Sequence, residues 1–145
     1  MVFVGNDHGG VTFKNEIIKH LTTKGIEIFD CGTYSGEAAD YPDIAFGVCS
    51  KVIAEKAQGI LICGTGIGVS ICANKVKGIR AALCHSEFDA QMARKHNDAN
   101  VLCLGERTTD IDTALAVTDI FLNENHDGGR HERRVEKITE YDNAR

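Results

Sequence analysis

Cys63 follows the apolar run Gly59-Ile60-Leu61-Ile62 and precedes Gly64-Thr65-Gly66-Ile67-Gly68-Val69-Ser70, where three glycines at alternate positions lead into a helical pattern. This places a thiol at a strand's carboxyl end, beside a glycine-rich turn whose backbone N–H groups can hold an anion. A nucleophile or base next to an anion cradle points to an enzyme. Asn6-Asp7-His8-Gly9-Gly10 closes an earlier strand, so a carboxylate and an imidazole project over a sheet edge at the start of a helix; by motif alone, Asp7 serves equally well as that helix's cap. Arg107, in Gly105-Glu106-Arg107, adds a cation after another strand.

Two further groups are open to either of two readings. Arg130 and Arg134 lie four residues apart at the start of the last helical segment, on one face, where two guanidinium forks can converge on a phosphate. The same spacing suits a solvated basic face paired with Glu132, Glu136 and Glu140. His96, in Lys95-His96-Asn97-Asp98-Ala99-Asn100, precedes a strand and so belongs to the sheet's opposite, amino-terminal edge. Within one chain it is a loop histidine far from Cys63, unless a neighbouring copy brings its loop to the crevice.

The elements that must position these groups alternate in period. Short β runs (Val2 to Asn6, Ile26 to Cys31, Gly59 to Cys63, Ile79 to Leu83, Asn100 to Leu104) are each followed by a helical run (Val11 to Lys24, Ile44 to Lys56, Ile67 to Val76, Glu87 to Lys95, Asp110 to Leu122). Five βα units in succession predict an α/β fold: a five-stranded parallel sheet, doubly wound into a three-layer αβα sandwich. Residues 123 to 129 read as a loop and Arg130 to Arg145 as a charged helix outside the repeat, of the kind that docks on a partner. The single proline, Pro42 in Asp40-Tyr41-Pro42-Asp43, is expected in a loop just before a helix, where its missing N–H costs nothing.

With 145 residues, 43% of them hydrophobic, the chain is read as one domain spanning residues 1–145. A net charge of -5 argues against nucleic acid or an anionic membrane as the main partner, so any phosphate bound should be small. The amino-terminal residues carry no basic n-region with a long apolar run, and no segment reaches the ~18 apolar residues of a membrane span; a soluble, cytoplasmic protein is expected. The six cysteines show no CxxC pair and no structural-zinc spacing, and most are expected reduced and buried as small hydrophobes. The glycine run does not match G-x-G-x-x-G, no Gly-Lys-Ser/Thr is present for a P-loop, and no arginine closes the loop after Cys63 as a cysteine-dependent phosphatase would need.

Taken in order, Asp7-His8-Gly9, Asp40-Tyr41-Pro42, Cys63-Gly64-Thr65-Gly66-x-Gly68, Ala73-Asn74-Lys75, His96-Asn97-Asp98 and Gly128-Gly129-Arg130-His131 resemble the sugar-phosphate isomerases of the ribose-5-phosphate isomerase B type across nearly the whole chain. The resemblance implies a Rossmann-like or flavodoxin-like sandwich and a homodimer, sometimes a dimer of dimers, with active sites shared between subunits. It implies aldose–ketose isomerisation of ribose 5-phosphate and ribulose 5-phosphate through a cis-enediolate, with no metal or cofactor. Cys63 is then the base and Thr65 the proton carrier. His96 and Asp7 open the sugar ring, and Asn97 and the Gly64, Gly66 and Gly68 turn hold oxygens. Tyr41 lines the pocket, and His8, Arg107, Arg130 and Arg134 bind the phosphate. Some members of the family use a glutamate a few residues downstream as base; Val69-Ser70-Ile71-Cys72 offers no carboxylate, which leaves the role with Cys63. The same motifs also serve allose 6-phosphate and galactose 6-phosphate. A non-catalytic sugar-phosphate-binding module would need the cations but not the thiol, and an oxidant-sensing thiol protein is a third reading, since an activated cysteine in a crevice is also oxidisable.

Overall fold

The computed structural model describes residues 1–34 and 36–145. Five parallel strands, β1 (Val2–Asn6), β2 (Ile28–Asp30), β3 (Gln58–Cys63), β4 (Ala81–Leu83) and β5 (Val101–Gly105), form one sheet in the order β2-β1-β3-β5-β4. Side chains alternate across it as strand geometry requires. Val2, Val4, Ile60, Ile62, Leu102 and Leu104 face one apolar layer with helices α1 (Val11–Thr23), α4 (Glu87–Lys95) and α5 (Ile111–Asn123). Phe3, Leu61, Cys63, Val101 and Cys103 face the other, against α2 (Tyr41–Glu55) and α3 (Ile67–Ala73). The chain steps toward β2 after β1 and toward β5 after β4, and away from β2 on the two crossovers between; right-handed crossovers then put α1 and α4 on one face and α2 and α3 on the other. The doubly wound sandwich is therefore as the periodicity predicts. At its far edge the order exchanges β5 and β4 relative to the 2-1-3-4-5 arrangement. Each fully buried side chain such as Phe121, Ile17 or Leu61 contributes roughly 1.5–3 kcal/mol of apolar transfer.

Element ends depart from the periodicity where polar partners intervene. β2 is confined to Ile28–Asp30, because beyond it Cys31 and Thr33 donate singly to Val4 and Asn6 while the side chain of Asp30 turns the chain by accepting from Gly32 N at 3.0 Å. α2 starts at Tyr41, not Ile44, and takes Pro42 inside its first turn rather than in the loop before it. The first-turn N–H groups have no intrahelical acceptor, so a proline lacking one fits there at no cost. α3 stops at Ala73, three residues early. Asn74 there turns its side-chain amide to β4, exchanging both hydrogen bonds with the backbone of Ala81.

Lys14, in the first turn of α1, is 1% exposed; its ammonium donates to the Thr33 carbonyl at 2.8 Å and pairs with Asp30 at 3.2 Å. A buried cation needs both partners, and they anchor the loop that carries the chain from β2 toward Tyr41. The last helix, α6 (Arg130–Ala144), buries no residue of its own. It is fixed at its far end, where Gly78 N donates to Asp142 at 2.7 Å and Arg145 reaches the Lys75 carbonyl at 3.2 Å.

Candidate active site

β1 and β3 are neighbours whose crossovers leave in opposite directions, and in an open α/β sheet the crevice at that divide is where ligands bind. Asp7 directly follows β1, and Cys63 ends β3. Asp7 N donates to the Ile62 carbonyl at 3.2 Å, so the two segments remain zipped up to the mouth of the crevice. Asp7 is 6% exposed, and its Oδ1 accepts from Gly9 N at 2.8 Å, capping the 3₁₀ turn His8–Gly10. The capping role is thus present, but it occupies one of two carboxylate oxygens. His8 is exposed, its Nδ1 accepting from Ala39 N at 3.3 Å.

The Cys63 side chain is 5% exposed, and Gly66 N–H donates to Sγ at 3.1 Å, which holds the sulfur toward the glycine turn and gives a thiolate a donor. Gly66 has φ 76°, in the left-handed region, and a methyl there would stand 2.5 Å from Leu83 Cδ1 and 2.9 Å from the Leu104 carbonyl carbon, so the turn requires glycine. Gly64 lies against the Arg107 side chain, at 3.5 Å from a built Cβ to Nη1, and Arg107 N donates to the Gly64 carbonyl at 2.9 Å. Thr65 is exposed on the same turn, its Oγ1 accepting from Ile67 N at 3.3 Å. At Gly68 the neighbour is Tyr41, whose ring would lie 2.7 Å from a methyl; the phenol therefore packs directly on the helix backbone and walls the crevice.

All six cysteines are free, and four are buried. Burial pushes the Cys49 and Cys84 thiols up to about 12 and the Cys103 thiol well above its ordinary value. Burial raises Cys31 and Cys72 as well. These five are poor nucleophiles, since the thiolate is the reactive form.

The remaining candidates lie elsewhere. α4 runs antiparallel to the strands, so His96, its capping residue, and Asn97 sit at the amino edge of the sheet, separated from the carboxyl edge by the length of β5, roughly 16 Å at ~3.3 Å per residue. α5 returns the chain to that same edge, where Asp127 N donates to the Lys95 carbonyl at 2.9 Å and α6 begins. There His131 stacks on His96, with ring centroids 3.9 Å apart and planes 9° apart. Arg130 and Arg134 are both exposed, and among the described residues neither makes an ion pair; the pairing with Glu132, Glu136 and Glu140 that their spacing permits does not form. Burial first, then the charges of His96, Arg130 and Arg134, lower the His131 pKa from 6.5. His96, Asp127 and His131 bring three ligating atoms within 4.8 Å of one another. Parallel rings do not converge their in-plane lone pairs on one ion, and the two guanidiniums repel a cation, so this corner suits an anion better than a metal.

The candidate residues thus fall into two groups at opposite sheet edges: Asp7, His8, Tyr41, Cys63, Gly64, Thr65, Gly66, Gly68 and Arg107 at one, and His96, Asn97, Arg130 and Arg134 at the other. The sequence separates these sets through strand direction alone. It does not reveal His131 as the ring against which His96 rests, nor Glu106, whose Oε1 accepts from Phe13 N at 2.6 Å and ties the end of β5 to the start of α1. Gly105-Glu106-Arg107 was the available signal, since a polar residue one step past a strand end faces the crevice rim. A groove of about 780 Å³, lined by Ile71, Asn74, Arg80, Asn97, Ile138 and Tyr141 among others, runs between α3, β4 and α6. It lies beside the second group, with Asn97 in its lining, rather than over the Cys63 sulfur.

No helix is long and apolar enough to cross a membrane among the described residues. The family described as Ribose/Galactose Isomerase matches residues 2–138. Ribose-5-phosphate isomerase B of Escherichia coli (strain K12) is 46% identical over 142 residues, 97% of this chain and 95% of that protein. The solved ribose-5-phosphate isomerase B of Clostridium thermocellum is similar at TM-score 0.96 and 47% identity, covering 99% of this chain and 97% of that one. That of Mycoplasma genitalium, with bound ribulose-5-phosphate, reaches TM-score 0.96 at 46% identity over 99% of this chain and 97% of its own. With a match over nearly its entire length and solved relatives that share its whole sheet, the chain belongs to the ribose/galactose isomerase family of enzymes.

Proposed function

We propose that this chain interconverts D-ribose 5-phosphate and D-ribulose 5-phosphate, as the names of its relatives describe for them, in a site built from the Cys63 half of one copy and the His96 half of a second. The observation that carries this reading is the division of the site: the base and its turn stand at one sheet edge, and the exposed arginines stand at the other. A second copy in which the edges meet would complete both halves. Exposed Ile67 and Ile71, one turn apart on α3 directly after the Cys63 turn, and exposed Ile138 and Tyr141 on α6, supply apolar surface for such a contact.

In the assembled site Arg130, Arg134, Arg107 and His8 hold the phosphate, the guanidiniums by forked hydrogen bonds. His96 and Asp7 act as acid and base on the furanose: one protonates the ring oxygen while the other takes the proton from the anomeric hydroxyl, which frees the aldehyde. The Cys63 thiolate then removes the C2 proton and the electron pair moves to O1. Thr65 passes a proton between O1 and O2, and Cys63 returns its proton to C1. Backbone N–H groups of the Gly64–Gly68 turn and the Asn97 amide hold the enediolate oxygens; donors so placed are typically worth about 2.7–4 kcal/mol each. Since Gly66 N–H already donates to the sulfur, the oxygens fall to its neighbours. Cys63 closes β3 at the glycine turn with Gly66 N–H on its sulfur, which makes it the thiol placed for this chemistry.

Turnover of ribose 5-phosphate by the purified chain, beside allose 6-phosphate and galactose 6-phosphate and with Cys63→Ala as control, tests the reading. A preferred pentose with a silent variant supports it. A preferred hexose phosphate moves the substrate and keeps the chemistry, whereas no turnover of any of the three leaves a binding module.

A further inference from the structure

His96 and Asn97 stand on the short turn joining α4 to β5, and the residue after them is held with unusual firmness. Asp98 has φ 45°. That region strains any residue with a Cβ, although aspartate and asparagine tolerate it better than most. Two guanidiniums close on it. Arg94 Nη1 lies 3.0 Å from Asp98 Oδ1 and also donates to the Ala99 carbonyl. Arg80 Nη2 donates to the Asp98 carbonyl at 2.9 Å and approaches its carboxylate at 3.5 Å, and Arg80 Nε donates to the Asn97 carbonyl at 2.9 Å. Arg80 is itself fixed: its N–H donates to Asn100 Oδ1 at 2.8 Å, and the Asn100 amide donates to the Gly78 carbonyl at 2.9 Å. Both arginine side chains are mostly buried, at 22% and 14% exposure.

A turn needs none of this merely to reverse the chain, since glycine adopts φ 45° without strain and without charged support. What the clamp adds is a fixed backbone at two consecutive carbonyls, those of Asn97 and Asp98, directly after the His96 side chain. We propose that Arg80 and Asp98 are positioning residues: they hold the His96–Asn97 turn so that the imidazole keeps its place on the His131 ring and the Asn97 amide its direction toward substrate. This rests on the reading that His96 and Asn97 act on the sugar.

The test compares Asp98→Ala, Asp98→Asn, Arg80→Lys and His96→Ala in steady-state turnover of ribose 5-phosphate, with a thermal melt of each. A reacting group displaced by a fraction of an ångström costs roughly tenfold or more in rate. Asp98→Ala, which loses both the carboxylate and the tolerance of positive φ, should lower kcat by about tenfold while KM stays within about twofold, because the phosphate-binding arginines stand on α6 and not on this turn. Asp98→Asn keeps an oxygen for Arg94 and the backbone preference, and should recover most of the loss. Arg80→Lys keeps the charge but loses the fork to the two carbonyls, and should again lower kcat selectively; it decides the matter if Asp98→Ala fails to fold. Folded Asp98→Ala or Arg80→Lys chains with kcat within twofold of the parent, beside a silent His96→Ala, would overturn the proposal. So would a loss that appears wholly as a raised KM. A fully active His96→Ala would instead remove the role of His96 itself, and the positioning role with it.

Discussion

The imidazoles of His96 and His131 lie face to face, 3.9 Å between centroids, although one caps α4 and the other stands on α6, far apart in sequence. Two charged rings would not stack so closely. Burial, His96, Arg130 and Arg134 all act to keep His131 neutral, against the weaker opposing effect of Asp127. In a ring-proton NMR titration His131 should lose its charge at a pH below 6.5. Arg134→Gln, which removes one neighbouring cation, should move that midpoint upward; a parental midpoint at or above 6.5 would refute the placement of these charges.

A site shared between copies makes a quantitative prediction. Cys63→Ala and His96→Ala chains should each be inactive alone. After mixing and exchange in a twofold pair, half of the pairs are mixed and each of these regains one of two sites, so about a quarter of parental activity returns. If activity does not return although exchange is verified, both halves act within one chain.

Gly68→Ala separates stability from binding. Glycine inside a helix costs about 0.5–1 kcal/mol relative to alanine, so the substitution favours α3, while the new methyl, 2.7 Å from the Tyr41 ring, must displace it. Tyr41 is 40% exposed and can swing outward at little cost. The melting temperature should therefore hold within a few degrees, and KM for the sugar phosphate should rise severalfold as the crevice wall moves. An unchanged KM would remove Tyr41 from the pocket.

Asp119 on α5 meets His20 of α1 and Lys24, the residue that caps α1, each at 2.9 Å. Burial alone would raise its carboxyl, but the hydrogen bonds from Lys24 and His20 outweigh it and leave the pKa below 3.8. The depressed value means that the folded state favours the carboxylate. Its contribution is complete above the ordinary carboxylate range and disappears as pH falls through the folded pKa. Asp119→Asn should lower stability by about 1 kcal/mol at neutral pH and by progressively less as pH falls below 3.8, read from denaturant midpoints. A loss that stays constant as pH falls would show that packing, not charge, is at stake.

The sheet, its winding and the Cys63 turn were legible in the sequence because they follow from local period and glycine spacing. The placement of Cys63 and His96 at opposite sheet edges was legible too, from strand direction. Tyr41 and Pro42 were misplaced by a few residues, since proline is at home both in a loop and in a helix's first turn. What could not be read was pairing between distant side chains: Lys14 with Asp30, Arg80 with Asp98, His131 with His96. Each depends on which strands and helices become neighbours, which periodicity does not encode.

The absence of any buried residue in α6 has a thermodynamic consequence. Amide exchange opens segments at free energies set by the contacts they lose, so α6 should exchange long before β3, whose residues from Gly59 to Cys63 are buried in the centre of the sheet. The two sheet edges therefore differ in durability: under mild denaturation a chain would keep the Cys63 sulfur in place after Arg130 and Arg134 had lost their positions.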